Sequence, residues 1–233
     1  MNTSARIGLI VVVIVAIVAA VAVARNRGSF APVDTGNGTA TTTQQTNTSF
    51  DKSISDATIT VSYSSGQWGL ATNPTQILVK SYIPACSEKF NYCLYNIGSN
   101  YVGTNFESAG LRIEKRTDLT TERTCTNTPP EGFNASVQPT ATHSENEYAS
   151  SVFSNVGDAG AGHMASGTLY RLYVRNNSSC YEFETRVGQT QFANYPEGTI
   201  EQFMPADQAA LEGFMQQVLN NISLPSGTKN LFS

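Results

Sequence analysis

Leu169-Tyr-Arg-Leu-Tyr-Val174, then Arg-Asn-Asn-Ser-Ser, then Cys180-Tyr-Glu-Phe-Glu-Thr-Arg-Val187 is the stretch on which the fold turns. Two alternating runs flank the polar tetrapeptide Asn176-Asn-Ser-Ser179, which is the signature of a β-hairpin. A turn of even length there pairs residues whose numbers sum to 355, setting Leu172 opposite Phe183, Val174 opposite Tyr181 and Arg171 opposite Glu184. One face of the hairpin is then apolar and the other charged, as expected of an antiparallel sheet with one wet side. On that reading Arg171 and Glu184 form a surface cross-strand pair worth a few tenths of a kcal/mol.

Working outward, Thr58 to Tyr63 alternates polar and apolar, and Ser108 to Arg116 alternates with Leu111 and Ile113 facing inward. Gln76 to Ile83 is an apolar run that stops at Pro84. Thr117 to His143 carries Pro129-Pro130, Gly132 and Pro139 and reads as a long irregular connection. From Pro205 to about Asn221 the period changes to that of a helix, with Leu211, Phe214, Met215, Val218, Leu219 and Ile222 on one stripe. Pro205 suits the first helical turn, and Pro225 lies past the end. These elements predict an α+β fold: an antiparallel sheet of about five to seven strands with a C-terminal amphipathic helix packed on one face.

Ile7 to Ala24 is 18 residues without a charge. As a helix it is about 27 Å long, against a hydrocarbon core of about 30 Å. The segment is expected to be a transmembrane signal anchor (1–24). Two alternatives are a cleaved signal peptide, for which Ala22-Val23-Ala24 supplies an A-x-A site, and the stalk of a pilin-like filament subunit. Residues 25–56 are rich in Thr, Ser, Asn and Gly and read as a disordered tether. Residues 57–233 are long enough for one domain with its own core. The flanking charges do not fix the orientation. The N-terminal position of the run, the nearly uncharged linker and the even cysteine count favour a single-pass protein of the cell membrane with its C-terminal domain extracytoplasmic.

Cys86, Cys93, Cys125 and Cys180 allow three pairings. The preferred one joins Cys86 to Cys93 across a tight loop and Cys125 to Cys180 across a long one. Residues 57–233 hold 10 Lys and Arg against 15 Asp and Glu, a formal net charge of −5. With no basic patch or finger spacing, that balance argues against nucleic acid as a partner. No cofactor motif is present: Gly157-Asp-Ala-Gly-Ala-Gly162 has the glycines of a phosphate cradle, but a strand and not a helix follows it. It reads as a flexible loop feeding a strand.

Catalytic residues are not announced by any motif. The best candidate for a general acid or base is His163, at the end of the glycine loop. The candidate metal ligands are His143, Glu145 and Glu147, whose spacing puts an imidazole and two carboxylates on one side of an extended segment. Glu182 and Glu184 also share a strand face about 7 Å apart, within the range of glycosidase pairs.

The stretch Tyr170 to Glu184, with its C-Y-E-F strand after a polar turn, followed by a terminal amphipathic helix, resembles uncharacterised membrane-anchored exported proteins of bacteria. The likeness covers about the last 60 residues and the general layout. The sheet-plus-helix layout is also similar to PsbP-type α+β domains, a resemblance that implies a fold and no activity. The expected function is a non-enzymatic, membrane-tethered extracytoplasmic domain that binds an envelope component or a partner protein. The alternative is an extracytoplasmic hydrolase or metal-dependent enzyme built on His163 with His143, Glu145 and Glu147.

Overall fold

The computed structural model describes residues 49–73, 85–86, 90–227 and 230–232. The apolar run at 7–24, the tether up to residue 48 and the apolar run at 76–83 lie outside the described residues. Among the described residues no helix is long and apolar enough to cross a membrane.

The elements run β1 (Lys52–Ser55), β2 (Thr60–Tyr63), β3 (Trp68–Ala71), β4 (Tyr92–Asn96), β5 (Phe106–Arg116), α1 (Glu122–Asn127), β6 (Ala141–Ser144), β7 (Tyr148–Ser154), β8 (Asp158–Gly160), β9 (His163–Val174), β10 (Ser179–Thr190), α2 (Pro205–Asn220) and β11 (Ile222–Ser223). Eight strands make one antiparallel sheet in the order β3-β4-β5-β10-β9-β7-β6, with β8 pairing the start of β9. A smaller sheet has the order β1-β2-β11.

This corrects the expected α+β fold with five to seven strands: the protein is mostly β, with eleven strands in two sheets and two α-helices among the described residues. The physical reason lies in strand length. β1, β3, β6, β8 and β11 have two to four residues each, too few for a period of two to show in the sequence. β1 lies within the stretch read as tether, so folded chain starts ahead of Ala57. The connection read as irregular holds α1 and β6. Thr121 caps α1, its hydroxyl accepting from the Thr124 N–H at 3.1 Å.

The hairpin β9–β10 forms with a different register. Arg175–Asn177 make a 3₁₀ turn and Ser178 takes a left-handed φ of 50°, so Val174 pairs with Ser179. Leu172 then faces Tyr181, Tyr170 faces Phe183, and Arg171 faces Glu182 instead of Glu184. The slip is two residues, and an even slip keeps every side chain on its expected face.

One face of the large sheet carries the main core. Leu111, Ile113, Leu172, Tyr181, Phe183 and Val187 pack there against Leu211, Met215, Val218 and Leu219 of α2 and against Val61 and Ile222 of the small sheet. Pro205 opens α2, and the Met204 N–H donates to Asp207 Oδ2 at 3.0 Å. The other face was expected to be wet, and it is covered. β10 is buried on both faces from Ser179 to Gly188. Cys125–Cys180 ties α1 onto this face, with Leu119 and Tyr173 beside it. Cys86–Cys93 holds a second apolar cluster with Ala71, Ala85 and Phe90, and Phe153, Val156 and Leu169 form a third.

The glycine stretch is also not a loose loop. Asp158–Gly160 is β8, and Gly160 pairs with His163 across Ala161 and Gly162, whose φ values are 50° and 83°. Two successive positive φ angles define a type I′ hairpin turn. A Cβ on Gly157 would stand 2.2 Å from the Ala165 carbonyl oxygen, so that position admits only glycine.

Candidate functional site

The covered face carries a ladder of charge. Arg112, Glu114 and Arg116 alternate on β5, and Glu182, Glu184 and Arg186 alternate on β10, with Arg171 beside them on β9. Arg112 donates through Nε to Glu184 Oε2 at 2.9 Å, through Nη2 to Glu182 Oε1 at 2.7 Å and through Nη1 to Glu114 Oε2 at 2.9 Å. Arg116 Nη1 donates to Glu182 Oε2 at 2.8 Å and clamps Asp118 with its other two nitrogens. Arg186 Nη2 donates to Glu184 Oε1 at 2.8 Å. Arg171, 1% exposed, brings Nε within 2.6 Å of Glu182 Oε2, a contact close in distance but too bent for a hydrogen bond, and donates through Nη1 to the Cys125 carbonyl at 3.1 Å.

Every carboxylate oxygen of Glu182 and Glu184 therefore faces a guanidinium. The expected surface pair is a buried network, and the two glutamates whose spacing resembled a glycosidase pair have their oxygens taken up by guanidinium groups instead of facing a cleft. Burial pulls the Arg171 guanidinium below its ordinary pKa against the pull of Glu182. Burial likewise raises Glu114. The sequence signal for the ladder was the pair of alternations R-x-E-x-R at 112–116 and E-x-E-x-R at 182–186, which set Glu184 opposite Arg112 and Glu182 opposite Glu114, with Arg112 and Arg116 on either side of Glu114 to bridge the two glutamates.

His163 opens β9 opposite Thr190, and its Nδ1 lies 2.8 Å from Glu107 Oε2. Glu107 sits at a bulge: Gly188 pairs with Ser108 and Gln189 with Phe106, so Glu107 is skipped and its side chain is turned toward the imidazole. Nothing in the sequence marked Glu107, because the strand pattern begins at Ser108.

His143 and Glu145 do meet, Nε2 to Oε1 at 3.1 Å, at the exposed turn joining β6 and β7. Glu147 turns elsewhere and accepts from Ser226 Oγ at 2.5 Å. Among the described residues no three His, Cys, Asp or Glu side chains gather as metal ligands. His143 stands opposite Ser150, which stands opposite Leu172, nine residues along β9 from His163. At about 3.3 Å per residue that is about 30 Å. The catalytic and metal halves of the enzyme reading sit at opposite ends of the sheet.

The His163 end has a distinct surface. Ile97, Val102, Met164, Phe192, Tyr195 and Met204 are six of the eight large apolar side chains that are well exposed among the described residues, and all lie where β5 and β9 begin and β4 and β10 end. Met164, Phe192 and Phe203 line a cavity of about 140 Å³ there with Asn105, Thr190 and Gln208. Asn105 is buried and holds this end together, donating through Nδ2 to the Thr190 carbonyl at 2.6 Å and accepting the Phe203 N–H at 2.7 Å. From 187 to 227 there is no Lys or Arg, while Glu197, Glu201, Asp207 and Glu212 are present. The surface is apolar with an acidic surround.

Comparison with known proteins supplies no relative: no family model, no curated protein and no solved structure matches the chain.

Proposed function

We propose that this chain is a membrane-tethered extracytoplasmic interaction domain, non-enzymatic, that docks a protein partner through the His163 end of its large sheet. The observation that carries the reading is the gathering of Ile97, Val102, Met164, Phe192, Tyr195 and Met204 at that end, because exposed apolar side chains of this size gathered in one region mark interaction surfaces. The acidic surround selects a partner segment with basic residues around an apolar knob, and disfavours an anionic lipid surface. The 18-residue apolar run and the two cystine bridges support an anchored, oxidised setting.

The test is photo-crosslinking of the full-length protein in its membrane, with a photoreactive residue at Phe192 and a control at Asn176 in the β9–β10 turn. A single protein adduct from position 192 that weakens with salt and is absent from position 176 is expected. Equal adducts from both positions, or none from 192, would overturn the reading. A hydrolase reading retains one specific observation, the 2.8 Å pair of His163 and Glu107, which has the form of a base held by a carboxylate. Such an activity would centre on those two residues, and His163→Ala would abolish it while leaving the crosslink at 192 in place.

A further inference from the structure

At the opposite end of the large sheet, the β1-β2 layer stands off β5 and β10 and leaves a cavity of about 150 Å³. Its walls are apolar: Ile54, Ile59, Val61, Ile113 and the rings of Tyr92 and Tyr181. Its remaining lining groups are Asp56, Asn91 and Lys115, one anion, one amide and one cation.

Each of the three has bonding capacity left. Asp56 Oδ1 accepts the Thr58 and Ile59 N–H groups at 2.6 and 2.9 Å, and Oδ2 accepts the Tyr181 hydroxyl at 2.5 Å. A carboxylate has about four acceptor positions, so one remains on Oδ2. Asn91 is oriented by its Oδ1, which accepts the Lys115 N–H at 2.5 Å, and this commits its NH₂ group to donation away from that bond. The Lys115 ammonium lies 5.4 Å from the centre of the Tyr181 ring and makes no hydrogen bond or ion pair among the described residues. The lysine is exposed and the residues behind it are buried.

We infer that this cavity binds a free apolar α-amino acid, its ammonium on Asp56, its carboxylate on Lys115 and Asn91, and its side chain among Ile54, Ile59, Val61 and Ile113. Charge selects the class. An apolar acid without an ammonium meets Asp56 with a like charge, and an apolar amine without a carboxylate meets Lys115 in the same way. Size selects within it, because a volume of about 150 Å³ is about that of one benzene-sized group. Valine, leucine, isoleucine and phenylalanine fit that limit, and tryptophan exceeds it.

The experiment is isothermal titration of the full-length protein in detergent with L-leucine and L-phenylalanine, alongside N-acetyl-leucine, leucinamide and L-tryptophan. Saturable binding of leucine or phenylalanine is expected, with both singly charged analogues and tryptophan weaker by at least about tenfold. Lys115→Met, at an exposed position, is expected to weaken leucine by about tenfold or more while leaving the thermal midpoint unchanged. Asp56 also holds a turn, so its substitution is read only beside Lys115→Met. No binding of either leucine or phenylalanine at about 10 mM would overturn the inference. Binding of N-acetyl-leucine as tight as leucine, or an unaltered affinity in Lys115→Met, would overturn it equally.

Discussion

The two faces of the large sheet are built from the same strands and held by different forces. Along β10, Tyr181, Phe183 and Val187 enter a continuous apolar core beneath α2, while Glu182, Glu184 and Arg186 enter a lattice of ion pairs between three small apolar clusters. Both sets are buried, Phe183 at 0% and Glu182 at 3% exposure. On the apolar face each side chain contributes about 1.5–3 kcal/mol by leaving water. On the charged face the gain from pairing is offset by the cost of stripping water from the ions, so the ladder adds little net stability while penalising any rearrangement that leaves one charge alone. Apolar burial thus drives the fold, and the ladder fixes which residues face which.

The sharpest way to break this contrast is to cut adjacent residues of one strand. Phe183→Ala is expected to cost about 3–5 kcal/mol in urea unfolding, the range for a large core side chain. Glu182→Gln keeps the volume but leaves Arg112, Arg116 and Arg171 facing a neutral amide; it is expected to cost about 3 kcal/mol, largely independent of salt. A cost below about 0.5 kcal/mol would mean that the ladder behaves as a surface network. Replacing the whole ladder, Glu114, Glu182 and Glu184 with Arg112, Arg116, Arg171 and Arg186, by apolar residues is expected to cost less than Glu182→Gln alone, the mark of a network that specifies more than it stabilises.

Smaller effects test the periphery. Ala161 holds φ at 50°, where a Cβ costs about 1 kcal/mol, and Ala161→Gly is expected to return about that amount in the thermal midpoint. The weakest expected effect is with acid. The hydrogen-bonded guanidinium of Arg116 holds Asp118 below the usual carboxylate range. Burial pushes Asp56 up, but the Tyr181 hydroxyl and two backbone N–H groups outweigh it and leave the pKa lowered. For both groups the folded pKa lies below the unfolded one, so their contribution is present above about pH 4 and is lost as pH falls through the lower folded values. Glu114, raised by burial, acts in the opposite sense. Unfolding midpoints between pH 2 and 7 are expected to fall with acid, and Asp118→Asn is expected to blunt that fall without changing stability at pH 2.

Long strands and local pairings were legible where the pattern ran long enough. Leu111 and Ile113 face the core, and Cys86–Cys93 with Cys125–Cys180 is the pairing that the loop lengths favoured. The register was not legible, because the left-handed Ser178 decides where the turn closes and a serine there gives no warning. Nor was the burial of the charged face, since alternation reports two unlike faces and says nothing about what covers each. That cover comes from α1, whose Thr121 cap and Cys125 bridge are small signals inside a proline-rich stretch. His163 could be singled out as titratable, whereas Glu107 becomes its neighbour only through a bulge. The six exposed apolar residues at that end come from three separate parts of the chain, the β4–β5 connection, the start of β9 and the β10–α2 connection, and only the fold gathers them.

β10 is paired along nearly its whole length on both sides, to β5 and to β9, and is buried beneath both layers. Its amides can reach solvent only when the entire body opens, so their hydrogen exchange is expected to report global unfolding. The short strands β3 and β6, at the two margins of that sheet, can open by themselves. Proton exchange read strand by strand would therefore grade the molecule from a fast rim to a slow spine, with β10 as the last segment to trade its hydrogens.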